Sequence, residues 1–111
     1  MSDPTLIDGT RPYPTRAILY PDGKVIRREG PLSIEDITSI ICDQVPQAPR
    51  GLDTINLRDG HVMFVHDMGH ICLPSLDENP GATAAYRAMC YPNTTHYMAG
   101  IAVIVPDEDF A

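Results

Sequence analysis

The sequence predicts an α+β domain: a single, mainly antiparallel sheet of about six strands with two short helices covering one face. Two observations carry this. Short β-type runs alternate with Asp-Gly and Pro-containing turns, which favours hairpins over parallel crossovers. Two segments show apolar residues at helical spacing behind recognisable start signals. The resulting order is β-β-α-β-β-β-α-β.

Residues 1–14 hold Pro4, Gly9, Pro12 and Pro14 among polar residues and read as an extended N-terminal arm. Residues 15–106 read as the folded domain and residues 107–111 as an acidic, solvated tail. Thr15–Tyr20 and Lys24–Arg28 are β-type runs around Pro21-Asp22-Gly23, whose Asp-Gly pair suits the positive φ of a tight turn. Ser33 is an N-cap candidate, with Asp36 three residues on. Ile34, Ile37, Ile40 and Ile41 then share one helical face, and Pro46 and Pro49 stop the helix.

Gly51–Leu57 is a further strand candidate, followed by the Arg58-Asp59-Gly60 turn. His61–His66 is strongly β-type. Asp67-Met68-Gly69 reads as a hairpin loop returning into His70–Leu73, which Pro74 ends. Asn79-Pro80 opens the second helix, Asn as N-cap and Pro at the first helical position. Its apolar stripe is Ala82, Ala85, Tyr86 and Met89, and Tyr91-Pro92-Asn93 ends it. After Gly100, Ile101–Val105 is apolar without alternation, the pattern of a strand buried on both faces.

The 111 residues make one domain. Fifteen acidic against eight basic residues give a net charge of −7, which excludes a generic basic nucleic-acid binder. A hydrophobic content of 43% is too high for a disordered acidic tail. No apolar run approaches the ~20 residues that span a bilayer, so no membrane association is expected. Met1-Ser2-Asp3-Pro4 lacks the basic start of a signal peptide, and a cytoplasmic location follows. Cys42, Cys72 and Cys90 are scattered and read as reduced core side chains.

Three constellations carry chemistry. The first is His66, His70 and Cys72: closure of the hairpin at Gly69 sets the two histidines side by side across the strands, with Cys72 further along the same face. That set suits a metal-dependent hydrolase or transferase. The plainer reading, polar residues flanking a hairpin turn, outweighs it, because the paired spacings and full ligand set of a zinc site are missing. No cofactor is expected. The second is Asn79, Thr83 and Arg87 with Thr94, Thr95 and His96, joined by Arg27 and Arg28 as guanidinium donors; together they suit an anionic nucleotide. The competing reading is an N-cap, a packed first turn and a turn-forming loop. The third is the acidic surplus, which in an ordered array would mimic DNA, but here it is spread over turns, a helix start and the tail.

Gly60–Val65, Gly69, Leu73-Pro74, Asn79-Pro80-Gly81-Ala82-Thr83, and Gly100 before Ala102-Val103-Ile104-Val105 make a recurring layout. With Ile18–Gly23 and the Leu32–Ile41 helix, it resembles a family of small domains of unknown function found in phages, plasmids and their bacterial hosts. The resemblance covers most of residues 16–106. The chain departs from it at Ile101, where an Asp is usual, and at Asn93, where a Gly is common. The resemblance implies a small accessory protein that acts by binding a host protein or a small anionic nucleotide, for instance against host defence. With no catalytic constellation and much apolar content in a short chain, the sequence favours a non-enzymatic, homo-oligomeric binding module.

Overall fold

The computed structural model describes residues 16–46, 50–57, 60–67, 76–89 and 97–110. Five strands form one fully antiparallel sheet in the order β2-β1-β5-β4-β3. They are β1 (Ala17–Leu19), β2 (Val25–Arg27), β3 (Leu52–Asn56), β4 (His61–His66) and β5 (Ala102–Pro106). The helices are α1 (Ile34–Cys42) and α2 (Pro80–Met89), and a 3-10 turn, Asp107–Phe110, follows β5. The α+β class and the single antiparallel sheet therefore hold.

Local chemistry makes each element. Gly23 takes φ 94° in the β1–β2 turn, donating to Tyr20 O at 3.0 Å, while Asp22 Oδ1 accepts the Lys24 N–H at 2.9 Å. Ser33 Oγ accepts the Asp36 N–H at 3.1 Å and so caps α1. Asn79 does the same for α2 through Ala82 N–H at 3.0 Å.

Packing departs from expectation in one respect. The helices lie on opposite faces of the sheet, not on one. Ala82, Ala85 and Tyr86 of α2 pack with Ala17, Leu19, Met63, Val65, Ala102 and Ile104. Ile37, Ile40 and Ile41 of α1 pack with Ile18, Val62, Phe64, Val103 and Val105. Successive side chains of a strand point to opposite faces, so every residue of β5 is buried only when both faces are covered.

A second difference concerns strand pairing. His61–His66 is expected to pair with the segment from His70, but β4 pairs with β3 along its length and with β5 over His61–Phe64. His66 lies opposite Leu52. The expected sixth strand, His70–Leu73, lies outside the described residues.

The acidic end is also not all solvated. In the 3-10 turn the Asp109 side chain is only 4% exposed and accepts from Arg16 Nε at 2.8 Å and from its terminal nitrogen at 2.7 Å. This two-pronged clasp fixes the start of β1 to the turn after β5. The guanidinium hydrogen bonds hold the Asp109 carboxyl below the usual carboxylate range, assisted by charge from Arg16 and His61 and opposed by burial.

A lowered folded-state pKa means the clasp stabilises fully above the unfolded value near ~4 and is lost as pH falls through the folded one. Urea unfolding from pH 7 downward is expected to show Asp109→Asn less stable than wild type at neutral pH. The two curves should converge once the wild-type carboxyl protonates.

Candidate functional site

Two places draw together polar residues singled out in the sequence. They differ in kind. One is an internal junction, the other an exposed edge.

The junction is built on Asn79. Its side chain is fully buried. Oδ1 caps α2, and Nδ2 donates to Leu19 O and to Gly100 O, each at 2.9 Å. The amide thus ties the end of β1, the entry to β5 and the first turn of α2 into one knot. The Asn79 N–H adds a bond to Met98 O at 2.8 Å, and Thr83 Oγ1 accepts the Met98 N–H at 2.9 Å. Gly100 sits beside it at φ 80°, and a Cβ there would lie 2.6 Å from Leu76 and 2.8 Å from Gln44 Oε1. Gln44 completes the junction: Oε1 accepts the Ile101 N–H at 2.8 Å and Nε2 donates to Ile41 O at 2.6 Å. These donors and acceptors are engaged in holding elements together, so Asn79 and Thr83 act as architecture.

The edge is the β1–β2 hairpin. β2 is an outer strand of the sheet, and its Arg27 and the following Arg28 are both exposed. The Arg28 N–H donates to Arg16 O at 2.9 Å, which extends the ladder one residue past β2 and fixes the backbone that carries both guanidiniums. From there the chain turns through Glu29, Gly30 and Pro31 toward α1. An open depression of about 340 Å³ lies along this corner, lined by Ile26, Arg27, Arg28, Glu29, Gly30 and Pro31. Lys24 stands on the same hairpin, its ammonium 5.3 Å from the Tyr20 ring centroid. Three cationic side chains therefore share one hairpin of a chain whose net charge is −7.

Of the expected nucleotide set, Asn79 and Thr83 lie in the junction and Arg27 and Arg28 on the hairpin. Arg87 is half-buried on α2, two turns beyond Asn79 and so about 12 Å along the axis. Thr94, Thr95 and His96 lie outside the described residues. Elsewhere Arg50 pairs with Asp43 at 2.9 Å on the surface, and Arg16 is engaged in the clasp.

Of the expected metal set, His66 is buried at the end of β4, its Nδ1 3.7 Å from Asp67 Oδ1. His70 and Cys72 lie outside the described residues. Among the described residues no three His, Cys, Asp or Glu side chains are grouped to hold a metal ion. Cys42 is buried with its Sγ 3.8 Å from Gly51 O, the carbonyl that also accepts the Asp67 N–H.

Compared with known proteins, the chain matches no family model, no curated protein and no solved structure.

Sequence reasoning missed Gln44, Arg16 and Asp109 as structural residues. Each acts across a long sequence separation, 57 residues for Gln44 to Ile101 and 93 for Arg16 to Asp109, which no local pattern records. Gly100 did leave a signal, as the glycine directly before the apolar strand.

Asn79→Ala is expected to cost about 2–4 kcal/mol, the cap plus two buried carbonyls left without their donor. Asn79→Asp keeps the cap oxygen but turns a carboxylate toward those carbonyls. Its folded-state pKa is therefore raised, and its deficit against wild type should grow as pH rises from ~4 toward neutrality. Denaturant titrations at pH 4.5 and 7.5 measure both effects.

Proposed function

We propose that the protein is a non-enzymatic binding module that grips an anionic patch on a partner protein with Arg27 and Arg28. The observation that carries this reading is the exposure of both arginines on the lining of one open depression at the sheet edge. Guanidinium forks match carboxylate and phosphate geometry. Consecutive residues of an extended strand point to opposite faces, so Arg27 and Arg28 would grip a partner from the two sides of the edge. The openness of the depression favours a protein surface over a small molecule, because small-ligand sites enclose most of their ligand. Opposite charge on the partner also speeds encounter.

The resemblance to phage and plasmid domains supplies the setting: an accessory protein in a bacterial host, sequestering a host protein in counter-defence by stoichiometric binding. A nucleotide signal is the second reading, favoured by the fit of guanidinium forks to phosphate.

The test is affinity capture from bacterial host lysate with wild type and with an Arg27→Glu/Arg28→Glu variant, followed by titration of the purified captured protein. Charge reversal should weaken binding at least tenfold, about 1.4 kcal/mol, and leave the fold intact. Equal binding by both forms would overturn the reading. Calorimetric heat from cyclic dinucleotides or ADP-ribose, lost in the variant, would replace the protein partner with the nucleotide.

A further inference from the structure

The two outer strands of the sheet are finished differently. β2 has three residues and carries Lys24, Arg27 and Arg28 at or beside its ends. Short length and cationic side chains are the usual guards against edge-to-edge pairing. β3 has five residues, Leu52-Asp53-Thr54-Ile55-Asn56, with one charge and neither proline nor glycine. Among the described residues no strand pairs with its outer side.

The hydrogen-bond parity of β3 is defined by its ends. The Leu57 N–H donates to His61 O at 2.9 Å, and Gly51 O accepts the Asp67 N–H at 3.2 Å. Backbone groups alternate in direction along an antiparallel strand, so Asp53 and Ile55 also face β4. Leu52 and Thr54 therefore turn their N–H and C=O groups outward. The side chains complement this. Leu52 packs at the margin of the α1-side core and Ile55 at the margin of the α2-side core, both half-buried. Both apolar layers thus run out to this edge and stop there.

We infer that β3 is a self-association edge whose occupant is β3 of a second copy, paired antiparallel about a twofold axis at Thr54. That register sets Thr54 against Thr54 as a hydrogen-bonded pair and Asp53 against Ile55 of the second copy. It also joins both apolar layers across the axis. The two Asp53 carboxylates are then diagonal neighbours, about 7–8 Å apart. Centring on Asp53 would oppose its like charges directly, and centring on either neighbour shortens the overlap of the five-residue strand, so Thr54 is the favoured centre. A second copy meets the required alternation on both faces by construction. A twofold pairing closes after two chains, and the guarded β2 edges at the far ends prevent further growth. This inference is independent of the binding role given to Arg27 and Arg28.

Sedimentation velocity of the full chain from about 1 to about 200 µM tests it. The weight-average mass of wild type should rise from 12.2 kDa toward twice that value. Thr54→Lys sets two ammonium groups face to face, and Thr54→Pro removes an N–H that β4 does not use. Both should stay at the single-chain mass with unchanged far-UV circular dichroism. A wild type that remains a monomer throughout, or variants that assemble as wild type does, would overturn it. Should a variant fail to fold, hydrogen exchange at the wild-type Thr54 amide decides. Protection that grows with protein concentration supports the pairing, and fast exchange at every concentration refutes it.

Discussion

One buried carboxamide organises this fold. Asn79 has a donor group with two protons and an acceptor oxygen, and the structure uses both sides: two strand carbonyls on one, a helix N–H on the other. An amide removed from water without these partners would cost several kcal/mol, so its burial is tolerable only at this meeting of β1, β5 and α2. The directionality of the three bonds specifies the junction in a way that apolar contact does not. Hydrophobic burial fills the layers on either side, while Asn79 sets where the helix begins relative to the sheet. Gly100 and Gln44 follow from this choice, because the chain entering β5 must pass too close to both Leu76 and Gln44 for any other residue to fit at φ 80°.

Covering both faces of a five-stranded sheet with a short chain has a functional corollary. The interior strands β1, β5 and β4 are consumed in two apolar layers. Of the sheet itself, the described residues leave its two edges for a partner. These edges have opposite character, one short and cationic, the other longer and nearly uncharged. The proposed anionic recognition would use the first and the proposed strand pairing the second. A dimer joined at β3 would carry its two Arg27–Arg28 corners at the far ends of one continuous sheet, so each partner would meet a bivalent binder.

Much of the fold was legible locally. Asp22-Gly23, Ser33 and Asn79-Pro80 each announced their turn or cap through a short-range bond that a few residues suffice to make. The unbroken apolar run Ile101–Val105 announced the two-sided burial of β5, and on that ground alone both helices on one face was inconsistent. The alanines of α2 hid the point, since they suit close packing against either face. The pairing of β4 was not legible, because Asp67-Met68-Gly69 looks like a hairpin turn whether or not the following residues return to the same strand. Arg27 and Arg28 are exposed at the sheet edge, where both line one open depression. Asn79 belongs to the architecture instead, and burial, which decided between its two readings, is a tertiary property.

The side-chain amide protons of Asn79 report on this account most directly. Measured by nuclear magnetic resonance, both Nδ2 protons should exchange with solvent only as slowly as the most protected β5 backbone amides, since freeing them requires global unfolding. Exchange orders of magnitude faster than β5 would contradict it, for the junction would then open while the sheet stays intact.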